Sequence, residues 1–190
     1  MLWNRSLVMY DKETNSYWSH ILGRAMQGEH QGVVLEQLPC VITDWETWRR
    51  DHPQSTVLWM SRTRREYRRE FYRKPEQFVL GIAEGQKAQA WGFDQLQKQP
   101  AVNAQWQSRP VLVAFDQQSV TARMYSRKVG EKVLEFKSVE GKLTDRETGS
   151  RWEFATGKAV EGPMKGKYLE AMPAIMSYRK TWRTFYPDSR

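Results

Sequence analysis

One passage of this chain occurs twice, and the repetition limits the folds open to it. Residues 11–55 align without a gap onto residues 145–189 at a constant offset of 134, and seventeen of the 45 aligned positions are identical. Chance at ordinary composition gives about 3. The identical pairs are Asp11/Asp145, Glu13/Glu147, Thr14/Thr148, Ser16/Ser150, Trp18/Trp152, Gly23/Gly157, Ala25/Ala159, Gly28/Gly162, Gly32/Gly166, Leu35/Leu169, Glu36/Glu170, Pro39/Pro173, Thr47/Thr181, Trp48/Trp182, Arg49/Arg183, Pro53/Pro187 and Ser55/Ser189. Each copy serves as a control for the other. Residues kept in both are expected to build the repeated fold, and residues that differ are where function is to be sought.

Each copy opens with a hairpin. Ser6–Tyr10 reads as a strand, Asp11–Asn15 as its turn and Tyr17–Ile21 as the return. Asp bonds its own backbone two residues on, while Asn and Gly tolerate a left-handed conformation, so Asn15 and Gly149 suit the matched turn position. Val33–Leu38 and Val41–Thr43 read as strands on either side of Pro39. Thr43 and Glu46 have capping-box spacing, which predicts a short helix ended by Pro53. Trp45 and Trp48, three apart, share one face of it. Ser177 and Pro187 bound its counterpart. Between the copies, Phe78–Ile82 and Ala88–Trp91 read as strands paired about Glu84 and Gly85, and Phe93–Gln99 as one or two helical turns. Val111–Phe115, Val120–Tyr125 and Lys132–Phe136 read as further strands. The fold expected is mainly β with short helices. It forms one domain of two internal repeats: a partial first repeat over 1–60, a connecting region over 61–109 and a second repeat over 110–190.

A chain of 190 residues is long enough to bury a core without disulfides or a structural metal. One cysteine, Cys40, excludes an internal disulfide or a Cys-x-x-Cys pair within this chain. It follows Pro39 in an apolar stretch and reads as a buried, inert thiol. No run approaches the roughly 18 apolar residues of a membrane span, and the first ten residues lack the features of a signal peptide. The net charge is +8, and five of those charges lie between Arg62 and Lys74. A local basic tract of this kind can meet an anionic polymer.

Four groups of residues could carry chemistry. Asp11, Glu13, Asp145 and Glu147 could be paired acids, but a turn is where Asp is structurally favoured, and turn structure is the preferred reading. His20, His30 and His52 with Cys40 have no compact ligand spacing, so no metal is assigned. Trp18, Trp48, Trp152 and Trp182 recur in both copies and read as core. Trp45, whose partner is Arg179, is free for binding, and Trp3, Trp59, Trp91 and Trp106 could line a groove. In the basic tract Arg64, Arg65, Arg68 and Arg69 alternate with aromatic residues such as Tyr67, the mixture that binds single-stranded nucleic acid. The alternative is a solvated connector in which Glu66 and Glu70 pair with nearby arginines. The binding residues assigned are therefore Trp45, Arg64, Arg65, Tyr67, Arg68 and Arg69. No catalytic residue and no cofactor is assigned, and no serine–histidine–acid arrangement or phosphate-binding glycine loop is visible.

The passage Leu2–Trp18, with Gly23–Gly28, and its return in Leu143–Trp152 and Gly157–Gly162, resembles the bacterial family called domain of unknown function 3179. The resemblance extends over nearly the whole chain. It implies a Thr-Tyr-Cys-Pro-Leu-Cys-Gly stretch ahead of the passage matching Leu2–Trp18, and thiol or selenol redox chemistry in members that carry it. In this chain that stretch would fall before Met1, so the chain reads as a C-terminal part of a longer protein or as a member without the reactive segment. Val113–Ser119 is the second copy's counterpart, with Phe115 at the family's Tyr position and Asp116 and Ser119 near its two cysteines. The resemblance therefore implies a redox-silent second half and a location beyond the cytoplasmic membrane. Two functions are expected: a non-catalytic extracytoplasmic member whose relatives carry the cysteine pair, or a module binding an anionic polymer. A hydrolase built on the turn carboxylates is a distant third.

Overall fold

Short hairpins build most of this protein, because the chain supplies a turn former every few residues. The computed structural model describes residues 1–58 and 74–189 and is mainly β, with three short helices among the described residues. The residues fall into two compact units, each assembled from separate stretches: Met1–Cys40, Gln77–Gly92 and Pro173–Arg190 in one, Val41–Glu76 and Phe93–Met172 in the other.

In the first unit, the strands Leu2–Trp3, Ser6–Asp11, Ser16–Ser19 and Arg24–Gln27 form an antiparallel meander. A three-stranded sheet runs Ile175–Tyr178, Phe78–Glu84, Lys87–Gly92, and the helix Arg179–Phe185 continues directly from its first strand. Ile21 of the meander, Val79 and Ala83 of the sheet, and Trp182 and Tyr186 at the helix share one buried cluster. Gly81 makes this packing possible. A Cβ there would lie 2.3 Å from the Trp182 ring, so only glycine lets the indole rest on the strand.

The second unit holds another meander: Phe136–Val139, Lys142–Asp145, Arg151–Trp152 and Ala159–Glu161. It packs on the sheet Ala101–Trp106, Arg109–Asp116, Thr121–Ser126 through Leu112, Tyr125, Phe136, Leu143, Trp152 and Leu169. Asn103 ties the two sheets together. Its side-chain amide donates to the Phe136 carbonyl at 2.7 Å and accepts from the Phe136 amide at 2.8 Å. The helices Trp45–Asp51 and Phe93–Lys98 belong to this unit.

The hairpins at 6–19 and 78–92 and the helix at Phe93 lie where the sequence predicts them. Three expectations are corrected. Residues 33–38 and 41–43 form no strand: apart from one bridge between Arg24 and Val34, they join no ladder among the described residues. The aligned segment Ile175–Tyr178 does become a strand, because Phe78–Glu84 lies beside it. The stretch 132–136 contains only the short strand Lys132–Val133, and pairing resumes at Phe136. Finally, Asp44 and not Thr43 caps the first helix, accepting from the Thr47 amide at 2.8 Å and the Thr47 hydroxyl at 2.9 Å. The helix starts one residue later than expected, and the Thr43 hydroxyl accepts from Thr121 instead.

Candidate functional site

The two repeated turn aspartates are occupied by donors of their own hairpins. Asp145 is fully buried and accepts from the Thr148 amide, the Thr148 hydroxyl, the Ser150 amide and the Trp152 indole, at 2.6 to 3.1 Å. Asp11 accepts from the Glu13 amide at 3.0 Å and the Thr14 hydroxyl at 2.5 Å, and these bonds, the Thr14 one foremost, hold its carboxyl below the ordinary value. Ser16 and Ser150 each accept one amide from the far loop, that of His30 and that of Met164. A Cβ at Gly28 or Gly162 would strike the backbone of this turn at 2.3 and 2.8 Å respectively. The shared Asp, Thr, Ser and Gly thus hold a turn closed, as the preferred reading had it.

The histidines and the cysteine do not gather. Among the described residues no group of three or more His, Cys, Asp or Glu side chains could hold a metal ion. Cys40 is exposed, contrary to the buried thiol expected, because the 33–43 segment has no ladder to draw it inward. The repeated tryptophans divide by copy. Trp152 and Trp182 are core, whereas Trp18 and Trp48 are half-buried. Trp48 stacks on His52 at 4.0 Å and donates to Ser55 at 2.9 Å. Trp45 is 44% exposed, and Arg49 lies exposed one turn further along the same helix. Of the other aromatics, Trp91 and Trp106 are buried and Trp3 packs edge-on against Phe185. Arg64, Arg65, Tyr67, Arg68 and Arg69, like Trp59, lie outside the described residues.

Asp116 and Ser119 occupy the turn between two strands of the second unit. The Ser119 hydroxyl donates to the Asp116 carboxylate at 2.6 Å, and Asp116 also accepts from the Gln118 amide at 3.1 Å. The two side chains near which the resemblance sets cysteines are therefore in direct contact here, joined by a hydrogen bond.

Sequence reasoning missed a cleft of about 240 Å³ in the first unit. The hairpin turn supplies Arg5 and the meander supplies His20. Ser177, Tyr178 and Thr181 come from the last strand and the helix it leads into, and Ile21 and Ile175 form apolar wall. His20 signalled itself only by differing from its partner Phe154. Arg5 gave no signal, since the aligned passage begins after it.

Residues 1–77 and residues 69–190 each match one protein family, described as protein of unknown function (DUF3179). No curated protein and no solved structure matches the chain. The two matched stretches together span every residue, which makes this chain a member of the DUF3179 family.

Proposed function

We propose that this family member is a non-catalytic module that binds an acidic polysaccharide beyond the cytoplasmic membrane. The single observation behind the reading is the concentration of charge: seven cations against two acids between Arg62 and Lys74, within a chain of net charge +8. Trp45 and Arg49, exposed together on the helix Trp45–Asp51, support it, since a flat ring beside a guanidinium suits an anionic sugar chain. Binding to a soluble polyuronate should weaken at least about tenfold between about 50 and about 200 mM salt, because counterions are released on association. Neutralising Arg64, Arg65, Arg68 and Arg69 to Gln should remove most of that salt dependence. Unchanged binding in this variant would sink the proposal, and preference for single-stranded DNA over polyuronate would move it to nucleic acid.

A second reading is favoured by the Asp116–Ser119 contact. In it the chain is the scaffold of a cysteine-pair redox protein, with the reactive pair carried elsewhere and this turn redox-silent. The intact mass of the protein from its native host tests this. A longer product with an in-frame Cys-Pro-Leu-Cys segment supports it, and a product beginning at Met1 removes it.

A further inference from the structure

Arg5 stands where the backbone favours another residue. Trp3 pairs with Ser6, leaving Asn4 and Arg5 as a two-residue hairpin turn, with φ of +48° and +65°. A turn with both central residues at positive φ prefers Asn followed by Gly. The corresponding turn of the second meander follows that preference at its second position: Val139 pairs with Lys142 across Glu140 and Gly141, at +50° and +73°. In place of that glycine the first meander carries a long cation that is exposed and, among the described residues, without an ion pair.

Arg5 lines the cleft together with His20. By the constant offset, His20 of the first copy corresponds to Phe154 and Tyr178 of the second copy to Asp44, so the counterparts of these two residues supply neither the imidazole nor the phenol. The pairing of a guanidinium with an imidazole is thus particular to this cleft. The cleft is also lined by the hydroxyl-bearing Ser177, Tyr178 and Thr181, and Tyr178 is 57% exposed with its ring held at 4.6 Å from Phe78. At about 240 Å³ the space lies below the range of drug-sized sites and suits one six-membered ring.

We infer that this cleft binds a single carboxylated sugar unit, Arg5 and His20 taking the carboxylate, the lining hydroxyls taking the ring hydroxyls, and Ile21 and Ile175 lying against the apolar ring face. Arg suits the carboxylate because its guanidinium can form two parallel hydrogen bonds. The sugar acid can arrive free or as the end of an acidic polysaccharide, the chemistry being the same. The inference does not depend on the Arg62–Lys74 tract, and a variant neutralised there should keep it.

The test is a titration of the full chain with glucuronate, followed by amide chemical shifts at Ser6, His20 and Ser177, with glucose as the uncharged control. Saturable shifts with glucuronate, and at least about tenfold weaker binding of glucose, are expected from loss of the charge-assisted bonds. Arg5→Gly places the favoured residue in the turn, so it should fold at least as stably as the parent while losing at least about tenfold in glucuronate affinity. His20→Phe, the second copy's residue, is the independent variant and should also weaken binding. Competition by a short oligouronate at the same amides would identify the chain end as the ligand, and competition only by the monomer would identify the free acid. Equal response to glucose and glucuronate, no saturation at millimolar ligand, or full affinity in a folded Arg5→Gly variant would overturn the inference.

Discussion

A carboxylate can be buried only if its lone pairs are filled, and Asp145 meets that condition through donors of its own turn and of the strand that follows it. The same logic governs the helix cap at Asp44. Burial works against ionisation there, but the Thr47 amide and hydroxyl together with the Asp44 and Glu46 amides outweigh it and hold the carboxyl below its ordinary value. Because the folded value is depressed, the cap contributes its full stability above the unfolded carboxylate value and loses it as pH falls through the folded one. Asp44→Ala should therefore lower stability by about 1 kcal/mol at neutral pH. Urea unfolding at neutral pH and again near the acid limit of the fold checks this. The difference between parent and variant should shrink in acid, and a constant difference would show that the charge has no part in the cap.

The two meanders share turn residues yet differ in what covers them. In the second, Phe136, Leu143 and Leu169 are at most 4% exposed beneath the sheet of residues 101–126. The residues at the same offset in the first, Leu2, Met9 and Leu35, are 72%, 41% and 44% exposed. The apolar pattern is common to both, and its energetic return depends on the neighbour. Leu143→Ala should destabilise the protein by about 3 kcal/mol, since it leaves a cavity among fixed neighbours. Met9→Ala should cost less than about 1 kcal/mol, the range of surface positions. Thermal unfolding of the two variants side by side measures the contrast, and equal losses would mean that the first meander is covered as well as the second.

Neither compact unit is a continuous stretch of chain. The first unit joins Ile21 to Trp182 and Tyr186 in one cluster, and the Tyr186 hydroxyl, raised above its ordinary value by burial, donates to the Ile21 carbonyl at 3.5 Å. The unit therefore closes only when the last helix reaches residues far earlier in the chain. Trp182→Ala removes the largest member of that cluster, at a cost of about 3 to 5 kcal/mol. Amide hydrogen exchange should then speed up at Val79, beside it in space, and also at Ile21, distant from it in sequence. Faster exchange confined to the helix itself would contradict this packing.

The turn chemistry was legible residue by residue. Asp, Thr, Asn or Gly, and Ser act within a few positions of one another, so their spacing carries the whole of the interaction. The hairpins and the glycine pair at 28 and 162 followed for the same reason. Strand pairing at 175–178 and its absence at 41–44 were not legible, because aligned segments become strands or not according to a neighbour far away in the chain. Cys40 was misread on the same account. The cleft lay furthest from the sequence. Its cation comes from a turn near the chain start, its imidazole from the next hairpin and its hydroxyls from beyond residue 176, and only folding brings these together. Local hydrogen bonding is written in adjacent residues, whereas burial and ligand geometry belong to surfaces that exist only once distant segments meet.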